Sequence, residues 1–418
     1  MRRVTRGATA LVVVIVVVGL CGACSSSSDD ATPASSAPVA ETSPGTVAAA
    51  AETTTSTPVA PATTPATTEA PTTDPPPTDA PAPTLPVTDE ASEYPEQSPD
   101  VPYPTLEWPV GELPDGVDQR ALDAAVATAF GADDAEARVR SLVVVKGGEI
   151  VYERYHPLDT PDQATSSFSV AKSFTSAIIG ILIGDGRLEL DAPAPVEEWQ
   201  AAGDPRGEIT LDDLLRMSSG LEWEEQYGPG SVVIEMLQAP HAADIPISQE
   251  LVAEPGSEFE YSTGTTAILA DIAADELGGG DALDAYVHAR LLDPLGMTST
   301  VLLEDGTGTW FGGLGADSTP RDFAKFGLLF LRDGVWDGER ILPEGWVDAS
   351  RSPSSTNASY GLQWWLNEDM GTYAALGLFG QQIIISAELD LVIVTTSTEG
   401  GDPATLSNAA FEQFASAA

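Results

Sequence analysis

Between Thr32 and Pro109 prolines crowd together with alanine, threonine and serine, and large aliphatic side chains are almost absent. A segment of that composition has too little apolar surface to bury a core, so whatever folds must do so elsewhere in the chain. From about Leu113 to the C-terminus the sequence is long enough for one sizeable globular unit with a real interior. The expected organisation is a leader over residues 1–24, a disordered Pro/Thr/Ala/Ser-rich tether over 25–110 and a folded domain over 111–418.

The balance of 18 Lys+Arg against 64 Asp+Glu, a formal net charge of -46, repels phosphate backbones and anionic headgroups and excludes nucleic acid as a partner. Only two cysteines occur, Cys21 and Cys24, both at the end of the first apolar run, so the globular part has no disulfide and no thiol nucleophile. The histidines, His156, His241 and His288, lack metal-ligand spacing. Neither a metal nor a cofactor is expected.

Met1 to Arg6 supplies three arginines, and the apolar run from Ala8 to Leu20 falls short of the ~20 residues of a membrane span. It reads as a signal peptide. Gly22-Ala23-Cys24 followed by a serine run resembles the lipobox of bacterial lipoproteins, which implies an acylated Cys24 and a domain exported and held to the outer face of the cytoplasmic membrane through its lipid.

Along the globular part, Val117 to Phe130 has helical spacing, and two β-rich runs around Gly147-Gly148 form a hairpin. Ser169 to Ile183 reads as a buried helix closed by Gly184 and Gly186. Thr210 opens a capping box, and Thr265–Leu277, Leu283–Leu292 and Thr319–Leu331 read as helices. Gly361–Leu366, Gly380–Ser386 and Leu391–Thr396 look like strands before a closing helix over Leu406–Ala415. The order predicts a mixed α/β (α+β) domain, with one sheet built from both chain ends and a mostly helical region inserted between them.

The chemistry centres on Ser169-Val170-Ala171-Lys172. The chain has three lysines, Lys146, Lys172 and Lys325, and one of them follows a serine by three positions. Residues i and i+3 share a helix face, which sets the hydroxyl beside the amine. The flanking helix is apolar nearly all round, where a lysine is costly unless it is functional or paired.

This pattern resembles the serine hydrolases of the β-lactamase, penicillin-recognising fold, whose S-x-x-K is the first of three ordered elements. Tyr261-Ser262-Thr263 resembles the second element, Y-x-N, with Thr263 where asparagine is usual. A rival S-x-N at Ser355-Thr356-Asn357 stands out of order. The third element, Lys-Thr-Gly in β-lactamases, has no lysine here. Leu376-Gly377-Leu378-Phe379-Gly380-Gln381-Gln382 in its place resembles the 6-aminohexanoate-dimer hydrolase and esterase branch, as do Leu214 to Leu221, Asp293 to Met297, Thr319 to Asp322 and Gly361 to Trp365.

The resemblance implies a β-lactamase-like antiparallel sheet flanked by helices and an envelope-anchored hydrolase of small ester or amide substrates that works through an acyl-enzyme. Ser169 is the expected nucleophile. Lys172 and Tyr261 would share a proton as base and acid, and the backbone amides of Ser169 and Leu378 would form the oxyanion hole. Tyr227, His241, Thr263, Gly377 and Gln381 are candidate substrate contacts, and Trp364-Trp365 reads as core and cleft wall. A β-lactamase or D,D-peptidase is the competing enzyme reading. A binding lipoprotein that kept the fold is the non-enzymatic one.

Overall fold

The computed structural model describes residues 101–131 and 138–418. The expected leader, Cys24 and most of the expected tether lie outside the described residues. The last part of that tether, 101–110, is packed on the domain. Trp108 Nε1 donates to the Arg321 carbonyl at 3.2 Å, Trp336 Nε1 donates to Thr105 Oγ1 at 2.8 Å, and the Tyr103 ring lies 5.1 Å from Trp336. Its aromatic residues give this end of the segment the apolar surface that the rest of its composition lacks.

Asp118 accepts the amides of Arg120 and Ala121 and so caps helix α1, Gln119–Phe130. Strands β1, Val139–Lys146, and β2, Glu149–Tyr155, follow as the expected hairpin, with Gly147 and Gly148 at φ 62° and 79° in its turn. The chain then forms helices α2 (Ala171–Gly184), α3 (Leu211–Leu215), α4 (Val232–Gln238), α5 (Thr263–Leu277), α6 (Gly280–Val287) and α7 (Pro320–Leu331). It returns as strands β3 (Trp365–Asn367), β4 (Thr372–Gly377), β5 (Gln381–Ser386) and β6 (Leu391–Ser397), and closes with α8 (Pro403–Ala417).

The six strands form one antiparallel sheet in the order β2-β1-β6-β5-β4-β3. Sequence neighbours in its centre point to opposite faces, and both faces are covered. Leu142, Val144, Leu391 and Ile393 pack with Leu122, Val126 and Phe130 of α1 and Leu406 and Phe414 of α8. Val143, Val145, Val392 and Val394 share the larger core with α2 and α7. That double burial is why β1 and β6 read as unbroken apolar runs. Close packing of α7 on the sheet depends on Gly327, where an added Cβ would stand 2.7 Å from Val392 Cγ1 and 2.8 Å from Ile383 Cγ2.

One expected strand is shortened, and one strand was not expected. The expected strand over Gly361–Leu366 begins only at Trp365, because Gln363 sits at φ 63° and is used as a buried cross-link. Its amide nitrogen donates to the Leu215 carbonyl at 2.7 Å, its Oε1 accepts from Thr266, and its own carbonyl accepts from Ser173 of α2. Strand β4 follows Thr372-Tyr373 with two alanines, a leucine and a glycine, too weak a signal to be read as a strand, and is defined by pairing with β5 and β3.

Candidate active site

Ser169 lies in a single 3-10 turn, Phe168–Val170, that runs directly into α2. The residue before it, Phe168, has φ 45°, a conformation that bulky side chains seldom adopt. Its ring meets that of Phe379, itself at φ 62°, edge to face at 5.3 Å. The aromatic pair joins the serine turn to the turn after β4. Gly377 completes the approach, since a Cβ there would lie 2.5 Å from the Ser167 carbonyl oxygen. Gly377 therefore serves by its lack of a side chain.

One helical turn on, Lys172 is buried at 1% exposure. Its Nζ donates to Ser169 Oγ at 3.1 Å, to Thr263 Oγ1 at 2.8 Å and to the Gly313 carbonyl at 3.0 Å. Burial lowers the Lys172 pKa to about 8 against an opposing pull from Glu225.

Tyr261 and Thr263 enter from the start of α5. Ser262 between them is the helix cap, its hydroxyl accepting the Thr265 amide at 3.0 Å. Burial raises the Tyr261 pKa, and a hydrogen bond with Ser169 acts against that rise. Lys172 Nζ stands over the Tyr261 ring, 5.0 Å from its centroid, while its hydrogen bonds go to the three partners above. The expected Lys172–Tyr261 pair is thus linked through the Ser169 hydroxyl rather than by a direct bond. Tyr261 is steadied from behind by the rings of Tyr360 and Trp365, at 6.1 Å and 5.5 Å, and Trp364 is core.

Sequence reasoning missed Glu225. Its carboxylate accepts the Thr263 amide at 2.8 Å, Trp223 Nε1 at 2.7 Å and the Tyr227 hydroxyl at 2.7 Å, and it takes the Thr263 hydroxyl in a very short bond. Thr263 accepts from Lys172 and donates to Glu225. Burial alone would raise the Glu225 pKa, but the Lys172 charge and the hydrogen bonds from Thr263 and Tyr227 outweigh it and hold the carboxyl below its usual value. The Tyr227 pKa is raised, by burial and then by the Glu225 charge.

Ser169, Tyr227, Thr263 and Leu378 front one cavity, whose other walls include Leu237, Leu303 and Leu314. Two candidates fall away from it. His241 is held outside the lining by Asp244 at 2.9 Å and Asp271 at 2.8 Å. Burial would lower its pKa, but these carboxylates raise it overall. Gln381 is buried at the start of β5, where it accepts the Ser397 amide and donates to the Ser397 carbonyl, so it clamps β6 and makes no part of the cavity wall. Arg340 and Arg351 pair with Asp333 and Asp348 and also lie outside the lining. Among the described residues no group of His, Cys, Asp and Glu could hold a metal ion.

Comparisons with known proteins bear on the fold and the family. The chain is 29% identical over 287 residues to the 6-aminohexanoate-dimer hydrolase of Paenarthrobacter ureafaciens, an alignment covering 62% of this chain and 72% of that one. A Bacillus anthracis structure bearing the name 6-aminohexanoate-dimer hydrolase superposes with a TM-score of 0.58 at 24% identity, over 75% of this chain and 88% of its own. A D-stereospecific amidohydrolase from Streptomyces sp. shares the fold at a TM-score of 0.54 and 17% identity, over 70% of this chain and 98% of its own. The Beta-lactamase family model matches residues 124–416, and the chain belongs to that family of hydrolases.

Proposed function

We propose that this protein is a serine hydrolase of esters or amides that acts through an acyl-enzyme on Ser169. The observation that carries the reading is the 3.1 Å contact between Ser169 Oγ and a fully buried amine whose pKa burial lowers to about 8. In the working state Lys172 is the neutral amine. It keeps Gly313 and Thr263 as acceptors and takes the Ser169 proton as the hydroxyl oxygen attacks the substrate carbonyl. The amides of Ser169 and Leu378 receive the developing oxyanion, and the Tyr261 hydroxyl, in contact with Ser169, hands a proton to the departing oxygen or nitrogen. Water then enters, Lys172 and Tyr261 exchange roles, and the acyl group leaves as a carboxylic acid.

The β-lactamase or D,D-peptidase alternative is less well supported. Among the described residues no lysine or arginine fronts the cavity, and Leu376-Gly377-Leu378 corresponds by order to the element whose lysine meets a substrate carboxylate in β-lactamases. Export with a lipid on Cys24 is part of the proposal and rests on Gly22-Ala23-Cys24 and the serine run. Mass spectrometry of the mature chain tests it: a diacylglyceryl N-terminal Cys24 is expected, and a soluble chain beginning elsewhere contradicts it. For the hydrolase itself the test is ester turnover by the intact protein against Ser169→Ala.

A further inference from the structure

Ser169 and Leu378 both front the cavity, and among the described residues neither backbone amide has an acceptor within the chain. Each is left over for a local reason. The serine stands in the opening turn of its helix, where amides have no carbonyl behind them. The β4–β5 ladder ends at the Gly377–Gln381 pair, so Leu378 lies one residue past it.

A phenylalanine at positive φ adjoins each of these amides. Phe168, at 45°, comes just before Ser169, and Phe379, at 62°, just after Leu378. Such conformations are strained for a bulky side chain and persist only where the surroundings impose them. The dihedrals of Phe168 set the plane of the Phe168–Ser169 peptide and therefore the direction of the Ser169 N–H. At Phe379 the chain turns away from Leu378 and re-enters the sheet at Gln381. The two rings meet edge to face at 5.3 Å, so each strained residue is held by the other. The serine turn is fixed at its other end as well, where Asp317 accepts the Ser167 amide at 3.0 Å and the Ser167 hydroxyl accepts the Ala316 amide at 2.8 Å. Phe168 lines the cavity and Phe379 lies outside the lining, so Phe379 can be replaced without altering the cavity wall.

We infer that Phe168 and Phe379 are a positioning pair: their ring contact holds two amides from separate parts of the chain at the spacing that a tetrahedral oxyanion needs. This rests on Ser169 being the nucleophile. Because the rings act through the backbone, their loss should fall on the transition state and spare substrate binding. In the intact protein, Phe379→Ala should lower kcat for a p-nitrophenyl ester by about ten- to a hundredfold with KM nearly unchanged. It should weaken inhibition by n-butylboronic acid, whose adduct with Ser169 is tetrahedral, by a similar factor. The acid midpoint of the pH profile should stay in place, since Lys172 is untouched. Phe379→Tyr keeps the ring edge and should restore the parental kcat. Phe379→Leu keeps apolar bulk without that edge and is read in the same way where the alanine variant does not fold. Combining Phe168→Ala with Phe379→Ala should slow kcat no further than the slower single variant, because either one breaks the pair. Parental kcat in Phe379→Ala and Phe379→Leu, boronate affinity that holds while kcat falls, or additive losses in the double variant would overturn the inference and leave the rings as packing. Retained turnover in Ser169→Ala removes the nucleophile and the oxyanion site with it, whereas an inert Ser169→Ala beside a parental Phe379→Ala refutes the pair alone.

Discussion

Glu225 is joined to Lys172 through a single hydroxyl, that of Thr263, which accepts from Nζ at 2.8 Å and donates to the carboxylate. The base therefore sits between opposing influences. Burial drives Lys172 toward the neutral amine, and the Glu225 charge draws it back toward the ammonium. Thr263, at the position where the resembling element has asparagine, spends its hydroxyl on Lys172 and Glu225.

The pH dependence follows from these directions. In the proposed mechanism Lys172 loses a proton before it acts, and its pKa is lowered to about 8, so kcat/KM for a neutral ester should rise with pH and reach half its plateau near that value. The alkaline limb should lie above the ordinary tyrosine range, because the Tyr261 pKa is raised. A pH–rate profile with its acid midpoint below pH 6 would remove Lys172 from the role of base.

Glu225→Gln should shift that acid midpoint down. The substitution keeps the shape of the side chain but removes the charge that favours the ammonium, so the shift is expected to be ~1 pH unit toward acid. A carboxylate that merely supported the loop would leave the midpoint in place while lowering stability. The paired measurement is the pH profile and the thermal midpoint of the variant.

Gly327→Ala should destabilise the domain without touching the chemistry. The new methyl meets Val392 and Ile383 at 2.7 Å and 2.8 Å, where α7 crosses the sheet. Overpacking of this kind costs ~1–3 kcal/mol, visible as a lower midpoint in urea. The acid midpoint of the pH profile should stay where it was.

Substrate choice should disfavour anions. With no Lys or Arg among the described residues fronting the cavity and a net charge of -46, nitrocefin should be a poorer substrate than a neutral p-nitrophenyl ester by a few-fold to about a hundredfold in kcat/KM. Efficient nitrocefin turnover with negligible esterase activity would favour the β-lactamase reading.

Much of this site was legible because it is local in sequence. Ser169 and Lys172 lie one helical turn apart, and Tyr261 and Thr263 bracket a helix cap. The hairpin, the buried α2 and the sheet built from both chain ends were legible for the same reason, since two-residue turns and long apolar runs are short-range signals. Glu225 was not. It stands among other acids in Glu222-Trp223-Glu224-Glu225, with no periodicity to select it, and only the fold brings α2 and the start of α5 to it. Trp223 and Tyr227, two positions to either side, were the one available hint, because both donate to its carboxylate. His241 and Gln381 misled for the converse reason: each lies near site residues in sequence, yet its polar atoms are taken up by aspartates or by strand β6.

The most direct test is active-site labelling of the intact protein with a fluorophosphonate, read by peptide mass spectrometry and alongside ester turnover. A single adduct on Ser169 is predicted. Ser169→Ala should lose the adduct and fall by ~10³ or more in kcat while keeping its thermal midpoint, as expected when only the nucleophile is removed. Labelling at another residue, or Ser169→Ala turnover within tenfold of the parent, would contradict the assignment of the nucleophile and the mechanism built on it.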